Sequence, residues 1–226
     1  MTRFKRITLA FACLASMSGL AFAQQFEEGE HFHAIGSPTA PSADQVEVVE
    51  AFAYPCPACR NFMPVISEWA NGLPEHVNLT HLPVGLQPGW EVFARVYYTA
   101  EVLGLGQDAH EAMFKAVHDE RRQFRSIEDV AEVYVPFGVE VEEFVNTSQS
   151  FAVDGRMRSN RNDIMQYGIR GTPTMIVQGK WRVSPTDFSS YQELLEAVDY
   201  LIALETEALE TEALESQAGD GQASAQ

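Results

Sequence analysis

A Cys-x-x-Cys motif at the junction of a predicted strand and a predicted helix most constrains the fold of this 226-residue chain. The stretch 46–54 is rich in β-branched and aromatic residues, which favour a largely buried strand. Pro57 suits the first turn of a helix, where a backbone N–H has no intrahelical partner. Cys56 is therefore expected at a helix N-terminus, where unpaired amides and the helix dipole favour an anion. The sequence predicts a thiol that loses its proton more readily than a free cysteine.

The N-terminus has the pattern of a cleaved export signal. Three basic residues near the start precede an apolar run over 7–22, and the run ends in an Ala-x-Ala cleavage site that closes at Ala23. The run is short for a membrane span and is interrupted by Ser, Thr and Gly. We therefore predict a signal peptide over residues 1–23, and its removal takes Cys13 with it.

Cysteine usage indicates redox chemistry. After removal of the signal, Cys56 and Cys59 are the two remaining cysteines. A disulfide that closes so short a loop constrains the unfolded chain little, so it is a poor structural crosslink for an exported protein. Half of a zinc site is the alternative, but there is no second cysteine pair, and His31 and His33 are expected on a strand surface. We predict no metal ion, and no cofactor other than a redox-active disulfide between the two cysteines.

The charge of the chain argues against nucleic acid as a partner. The formal net charge is −17 at pH 7, and every acidic residue lies after Ala23. A phosphate backbone would repel a mature chain of this charge. We attribute the acidity to solubility rather than to a specific partner.

The rest of the chain combines strand and helix patterns. The helix that starts at Pro57 has an apolar stripe along one face, and a core strand is predicted over 77–84. Only helical patterns follow over 89–167. A strand over 174–177 then pairs with 180–183 in a hairpin. These patterns predict an α/β fold that is interrupted by a long helical block.

A closing helix and a short repeat make up the C-terminal stretch. Ser190 and Glu193 form a capping box ahead of a strongly apolar stripe that ends near Leu204. From there Leu-Glu-Thr-Glu-Ala repeats with a period of five residues, which rotates successive leucines by about 140° around a helix. These leucines do not form one apolar face. We therefore predict that residues 205–226 are an acidic tail, a frayed helical extension that runs into disorder.

Two stretches give the chain a family resemblance. The first, Glu50 to Cys59, reads E-A-F-A-Y-P-C-P-A-C, and the second, Tyr167 to Met175, reads Y-G-I-R-G-T-P-T-M. Together with the export signal and the helical block, they resemble the DsbA family of periplasmic thiol-disulfide oxidoreductases. The resemblance implies an α/β, thioredoxin-like domain over 24–84 and 151–204, with an inserted all-helical domain over 85–150.

The resemblance also implies roles for residues around the motif. Cys56 is the expected nucleophile and Cys59 the resolving thiol. Pro173 corresponds to the family's cis proline, which faces the disulfide, and Thr172 offers backbone groups to a bound substrate strand. Glu50 corresponds to the family's buried acid, which can take the proton of Cys59 through a water. A structural carboxylate with satisfied hydrogen bonds is the alternative for Glu50.

Between the two cysteines the chain departs from the family pattern. Well-studied members have a His where this chain has Ala58, so the contribution of that His to the Cys56 thiolate is absent. Pro57 and Ala58 then tune the thiol only through the helix N-terminus that they form. The departure leaves the expected fold and reaction class in place, and it leaves the oxidising strength open.

The expected activity is the introduction of disulfide bonds into exported proteins in the periplasm. The implied partners are reduced or unfolded exported proteins and a DsbB-like membrane quinone reductase that reoxidises the enzyme. A thiol reductase or a disulfide isomerase on the same fold is an alternative, although the sequence has no dimerisation domain of the kind that isomerases carry, and we expect a monomer. The alternative from another class is a non-catalytic, chaperone-like module that binds peptides.

Overall fold

The computed structural model describes residues 26–36 and 45–223, with side chains up to residue 215. The predicted signal peptide over 1–23, including Cys13, lies outside the described residues. Within the described ranges, no helix combines the length and the apolar character that crossing a bilayer requires.

Within the described residues, a five-stranded mixed sheet forms the centre of the fold. Its strands are β1 (His33–Ala34), β2 (Val46–Phe52), β3 (Val77–Pro83), β4 (Thr174–Val177) and β5 (Trp181–Val183). In space their order is β1-β5-β4-β2-β3, so β2 has a neighbour on each side. It runs parallel to β3 and antiparallel to β4. Most side chains of β2 are buried, as expected for a run of β-branched and aromatic residues in an interior strand.

Helices supply most of the remaining regular structure in the part of the chain described. They are α1 (Pro57–Ala70), α2 (Glu91–Val102), α3 (Gln107–His118), α4 (Ile127–Ala131), α5 (Val141–Ser148), α6 (Phe151–Gln166) and α7 (Tyr191–Ala223). The parallel strands β2 and β3 are joined through α1, which starts where the motif was expected to start a helix. The helices α2 to α6 all lie between β3 and β4 in the chain. The prediction of an α/β fold with a long helical insertion is confirmed.

Two hydrophobic clusters meet at α1, the helix that carries the motif. Phe62 and Ile66 belong to one cluster, together with residues of β2, β4 and α7. Cys59 belongs to the other cluster, whose members come mainly from α2, α3, the region of α4 and the end of β2. The helix is therefore held both by the sheet and by the helical block.

One helix, α6, links the helical block to the sheet. The side-chain amide of Asn160 donates to the carbonyl oxygen of Pro83 at the end of β3, at 2.8 Å, and to the hydroxyl of Tyr98 on α2, at 3.0 Å. Val153 and Met157 of the same helix pack against α2. Because α6 contacts both parts, the predicted boundary between residues 150 and 151 stays a prediction.

The predicted tail starts as a helical extension, as expected, but this start is packed on the domain and is not frayed. Helix α7 continues without a break from Tyr191 to Ala223. Glu205 is 4% exposed, and its carboxylate accepts hydrogen bonds from Lys180 Nζ and Trp181 Nε1, both at 2.6 Å. Leu209 packs against the cluster beneath. The repeat indeed lacks one apolar face, but the buried carboxylate of Glu205, its second residue, holds the helix on the domain.

Candidate active site

The two cysteines occupy different environments at the start of α1. Cys56 is the N-cap residue, in an extended conformation with φ −81° and ψ 116°, and no side chain caps the amides of the first turn. Cys59 lies one turn further along and is completely buried. Both cysteines are free thiols in this structure. The first amides of the helix are thus directed towards the Cys56 sulfur, as the position of Pro57 led us to expect.

The pKa of the Cys56 thiol is lowered to about 5. The largest cause is the hydrogen bond from the Cys59 thiol, which favours the Cys56 thiolate, while burial acts in the opposite direction. Hydrogen bonds with the side chain of Thr172 and with the backbone N–H groups of Cys59 and Ala58 lower it further. These lowering contributions are hydrogen bonds, so the thiolate is stabilised without a His between the cysteines.

Cys59 has the opposite shift. Burial raises the pKa of its thiol well above the ordinary range, and its hydrogen bond to Cys56 adds to the effect. In the reduced pair the negative charge therefore lies on Cys56 and the proton on Cys59. An asymmetric dithiol of this kind has one good leaving group and one poor one.

The loop before β4 lies directly against Cys56. The register of β2 with β4 places Thr174 opposite Ala51, so the segment that precedes β4 and the segment that follows β2 meet at one end of the sheet. The Thr172–Pro173 peptide bond is cis. The Sγ atom of Cys56 lies 3.3 Å from the carbonyl oxygen of Thr172, to which the protonated thiol donates. The structure thus brings together the two stretches that carry the family resemblance, the Cys-x-x-Cys motif and the loop with Thr172 and Pro173.

Glu50 is buried in β2 and contacts a histidine that the sequence did not single out. The carboxylate is within 3.3 Å of His81 Nε2 on β3. Burial raises the pKa of Glu50 to about 8 and lowers the pKa of His81 to about 4. Both groups are therefore neutral near pH 6, and the contact is a hydrogen bond rather than an ion pair. In the described part of the chain, no direct hydrogen bond joins Glu50 to Cys59.

A cavity of about 310 Å³ lies beside Glu50. It is lined by side chains of α1 and α3 together with the two histidines His81 and His110. The lining includes enough polar groups to hold water. The sequence did not predict a role for His81, because strand alternation alone does not reveal which polar side chains meet in the interior.

Two histidines of α3, His110 and His118, hold the segment just before the motif. The hydroxyl of Tyr54 lies 2.9 Å from His110 Nδ1, and its backbone carbonyl accepts from His118 Nε2 at 2.7 Å. Both histidines belong to α3, so the helical block positions the segment just before Cys56. These contacts join residues that are far apart in the sequence, which is why motif reasoning missed them.

No group of three or more His, Cys, Asp or Glu side chains suited to a metal ion occurs within residues 26–36 and 45–223. The chemistry that the described groups support is thiol-disulfide exchange. A polarised thiol pair, a loop that presents backbone groups beside it and a buried acid in the adjoining strand occupy one end of the sheet.

Comparison with known proteins gives consistent matches. A family model described as a DSBA-like thioredoxin domain matches residues 60–198. The chain is 35% identical over 204 residues to the thiol:disulfide interchange protein DsbA of Pseudomonas aeruginosa, which covers 89% of this chain and 97% of that protein. The crystal structure of Pseudomonas aeruginosa DsbA has a TM-score of 0.77 at 34% identity, covering 83% of this chain and 98% of that one. For the oxidoreductase DsbA from Xylella fastidiosa the TM-score is 0.73 at 33% identity, with coverage of 79% and 96%.

These matches extend over most of each protein compared, so the likeness covers the sheet and the helical insertion together. The expectation of a thioredoxin-like fold with an inserted helical domain is confirmed. The protein belongs to the DsbA-like thioredoxin-domain family.

Proposed function

We propose that the protein introduces disulfide bonds into exported proteins, with Cys56 as the exchanging sulfur and Cys59 as the resolving one. The observation that carries this proposal is the opposite direction of the two pKa shifts, since Cys56 is lowered to about 5 while Cys59 is raised. A stabilised Cys56 thiolate stabilises the reduced enzyme. An enzyme whose reduced form is stabilised transfers its disulfide outwards.

The first step forms a mixed disulfide. A substrate thiolate attacks the Sγ atom of Cys56 in the oxidised enzyme, and a bond forms between the two sulfurs. The Cys56–Cys59 bond breaks, and its electron pair leaves on Cys59, which then takes up a proton.

The second step releases the oxidised substrate. A second substrate thiolate attacks the substrate sulfur of the mixed disulfide, and Cys56 leaves as a thiolate. The substrate has lost two electrons and gained a disulfide. The enzyme has gained both electrons and holds a thiolate at Cys56 and a thiol at Cys59.

In this proposal Glu50 exchanges the proton of Cys59. Because its pKa is raised to about 8, the carboxyl is protonated at neutral pH and has a proton to donate when Cys59 becomes a leaving group. In reoxidation the same group accepts that proton. The adjoining cavity has room for the waters that would connect the two groups, and the contact with His81 orients the carboxyl.

Thr172 and Pro173 are the proposed substrate-binding residues. The carbonyl oxygen of Thr172 lies beside the sulfur that is attacked, so an extended substrate segment that pairs with this backbone would bring its thiol to Cys56. Pairing between backbone groups does not depend on the side chains of the substrate, which suits an enzyme with many protein substrates.

We further propose a periplasmic location after removal of the signal peptide, and reoxidation by a DsbB-like membrane quinone reductase. The substrates are reduced or unfolded exported proteins. The membership of the family supports these assignments, and the basic and apolar pattern of residues 1–23 supports export.

Equilibration with glutathione tests the direction of electron transfer. We expect a reduction potential well above that of a reductant such as thioredoxin, which is about −270 mV. A potential near that value would favour the rival function, a thiol reductase on the same fold. Failure to accelerate the reduction of insulin by dithiothreitol would instead favour a binding module without catalysis.

A further inference from the structure

Tyr191, the first residue of α7, reaches the turn between the two cysteines. Its hydroxyl donates a hydrogen bond to the carbonyl oxygen of Ala58 at 3.1 Å. Its ring packs on Phe62 of α1, with the ring centroids 4.9 Å apart. Tyr191 is 133 positions away from Ala58 in the chain, so this contact is a product of the tertiary fold.

The start of α7 is held firmly, which fixes the position of Tyr191. The carboxylate of Glu193 accepts hydrogen bonds from the backbone N–H and the hydroxyl of Ser189. The backbone N–H of Glu193 in turn donates to the hydroxyl of Ser190 at 3.1 Å. These capping hydrogen bonds satisfy the N–H groups of Ser189 and Glu193 and fix the start of the helix, from which the side chain of Tyr191 projects.

The carbonyl that Tyr191 contacts belongs to a peptide group that also touches the reactive sulfur. The carbonyl of Ala58 and the N–H of Cys59 are the two ends of one planar unit. That N–H is one of the first-turn amides beside Cys56, the N-cap residue, and no side chain caps it. It also contributes to the lowered pKa of the Cys56 thiol. A donor at the oxygen end of a peptide polarises it and strengthens the hydrogen bond given by its N–H end.

We propose that Tyr191 is a positioning residue for the dithiol, whose hydroxyl orients and polarises the Ala58–Cys59 peptide group so that its N–H stabilises the Cys56 thiolate. The proposal rests on the proposed role of Cys56 as the exchanging sulfur. Ala58 offers no side-chain donor of its own, so the backbone amides add to the stabilisation that the Cys59 thiol provides, and the group that aligns them affects the chemistry.

The phenol is protonated where this matters. Burial raises the pKa of Tyr191, and its electrostatic interaction with the two cysteines raises it further. Its hydroxyl is therefore a donor throughout the pH range in which Cys56 titrates. Among the described residues, no hydrogen bond joins Tyr191 to the sulfur of Cys56 or Cys59. Tyr191 therefore acts through the peptide group rather than on the reacting atoms.

The variant Tyr191→Phe tests the proposal because it removes the hydroxyl and keeps the ring on Phe62. We expect the pKa of Cys56, followed by thiolate absorbance, to rise by about half a unit, and the equilibrium constant for oxidising glutathione to fall by about threefold. Tyr200→Phe on the same helix is the matched control. Tyr200 packs on Phe26 and Phe32, away from the motif, and its variant should leave both quantities unchanged.

Replacement of Tyr191 by 3-fluorotyrosine supplies a second arm with the opposite sign. The fluorinated phenol is a stronger acid and hence a stronger donor, so the pKa of Cys56 should fall. If the Tyr191 variants changed the melting temperature but left the pKa of Cys56 and the glutathione equilibrium unaltered, Tyr191 would serve packing alone. That result would overturn the proposal. A wild-type protein without exchange activity would contradict the proposed function instead, whatever the pKa values of the two variants.

Discussion

At the scale of single residues, the motif separates two thiols by one helical turn and gives them opposite properties. Cys56 meets unpaired amides at the N-cap, whereas Cys59 faces the hydrophobic interior. We predict that Cys56→Ser abolishes disulfide exchange, because it removes the sulfur that is attacked. Cys59→Ser should retain the first step with an activated substrate disulfide and accumulate mixed disulfides through Cys56. Non-reducing gel electrophoresis with mass spectrometry measures both outcomes.

The pair of variants also provides its own control. Each removes one sulfur, so a nonspecific loss of structure would affect both alike. Accumulation of mixed disulfides by the Cys56→Ser protein would reverse the assignment of the two roles.

Ala58 offers a second prediction at the residue scale. The variant Ala58→His places a donor or a positive charge near the Cys56 sulfur, so the pKa of Cys56 should fall below its present value of about 5. A shift of about half a unit to one unit would raise the reduction potential by about 15 to 30 mV, since one unit is about 1.4 kcal/mol. Ala58→Leu controls for size. A lower pKa with an unchanged potential would break the link between the thiolate and oxidising strength.

The Cys-x-x-Cys motif pointed to the two cysteines, and the family resemblance of the two stretches around them pointed to Glu50, Thr172 and Pro173. Neither the motif nor the resemblance pointed to His81 or Tyr191. Each contacts the site through a tertiary approach of a strand or helix, and no local pattern records such an approach. Their roles became visible only when distances between side chains were available.

At the scale of secondary structure, α7 shows how one polar contact extends an element beyond its apolar face. Two leucines of the repeat are exposed, Leu204 at 40% and Leu214 at 68%, as the five-residue period predicted, whereas Leu209 packs against the cluster of the sheet and α7. The helix is nevertheless anchored by Glu205, whose partners lie at the β4–β5 turn and in β5. Periodicity arguments weigh apolar stripes, so they do not detect a single buried carboxylate.

Truncation measures the strength of that anchor. Removing residues 205–226 leaves Lys180 and Trp181 without their shared acceptor, which should cost about 1 to 3 kcal/mol and lower the melting temperature by several degrees. A chain that ends after Glu215 keeps the anchor and Leu209, and its melting temperature should equal that of the full mature chain. Equal melting temperatures for the two truncated chains would show that the anchor contributes nothing.

At the scale of the whole molecule, α1 lies between two hydrophobic clusters, and the helical insertion completes one of them. Cys56 and Cys59 belong to the cluster of the insertion, while Phe62 and Ile66 of the same helix belong to the cluster of the sheet and α7. The insertion is therefore part of the support of the motif. The existence of the helical block was predictable from its unbroken helical pattern, but its packing on the cysteines was not, because periodicity does not specify which helix faces meet.

This arrangement couples the redox state to the stability of the entire fold. The Cys56 pKa is lowered from 9.0 to about 5 on folding, so the stabilising contribution of its thiolate is complete above the unfolded value and is lost as the pH falls through about 5. Solvent that reaches the sulfur screens part of this contribution, so at pH 7 it amounts to about 1 to 2 kcal/mol in the reduced protein. The oxidised protein has no thiolate and lacks this contribution.

We predict a higher melting temperature for the reduced form at pH 7, with a difference that shrinks towards pH 5, as measured by calorimetry of both forms. Because the Cys59 thiol stays protonated in both the folded and the unfolded chain at pH 7, it does not offset the effect. Identical melting temperatures at pH 7 would mean that folding does not stabilise the thiolate, and the source of the proposed oxidising power would have to lie elsewhere.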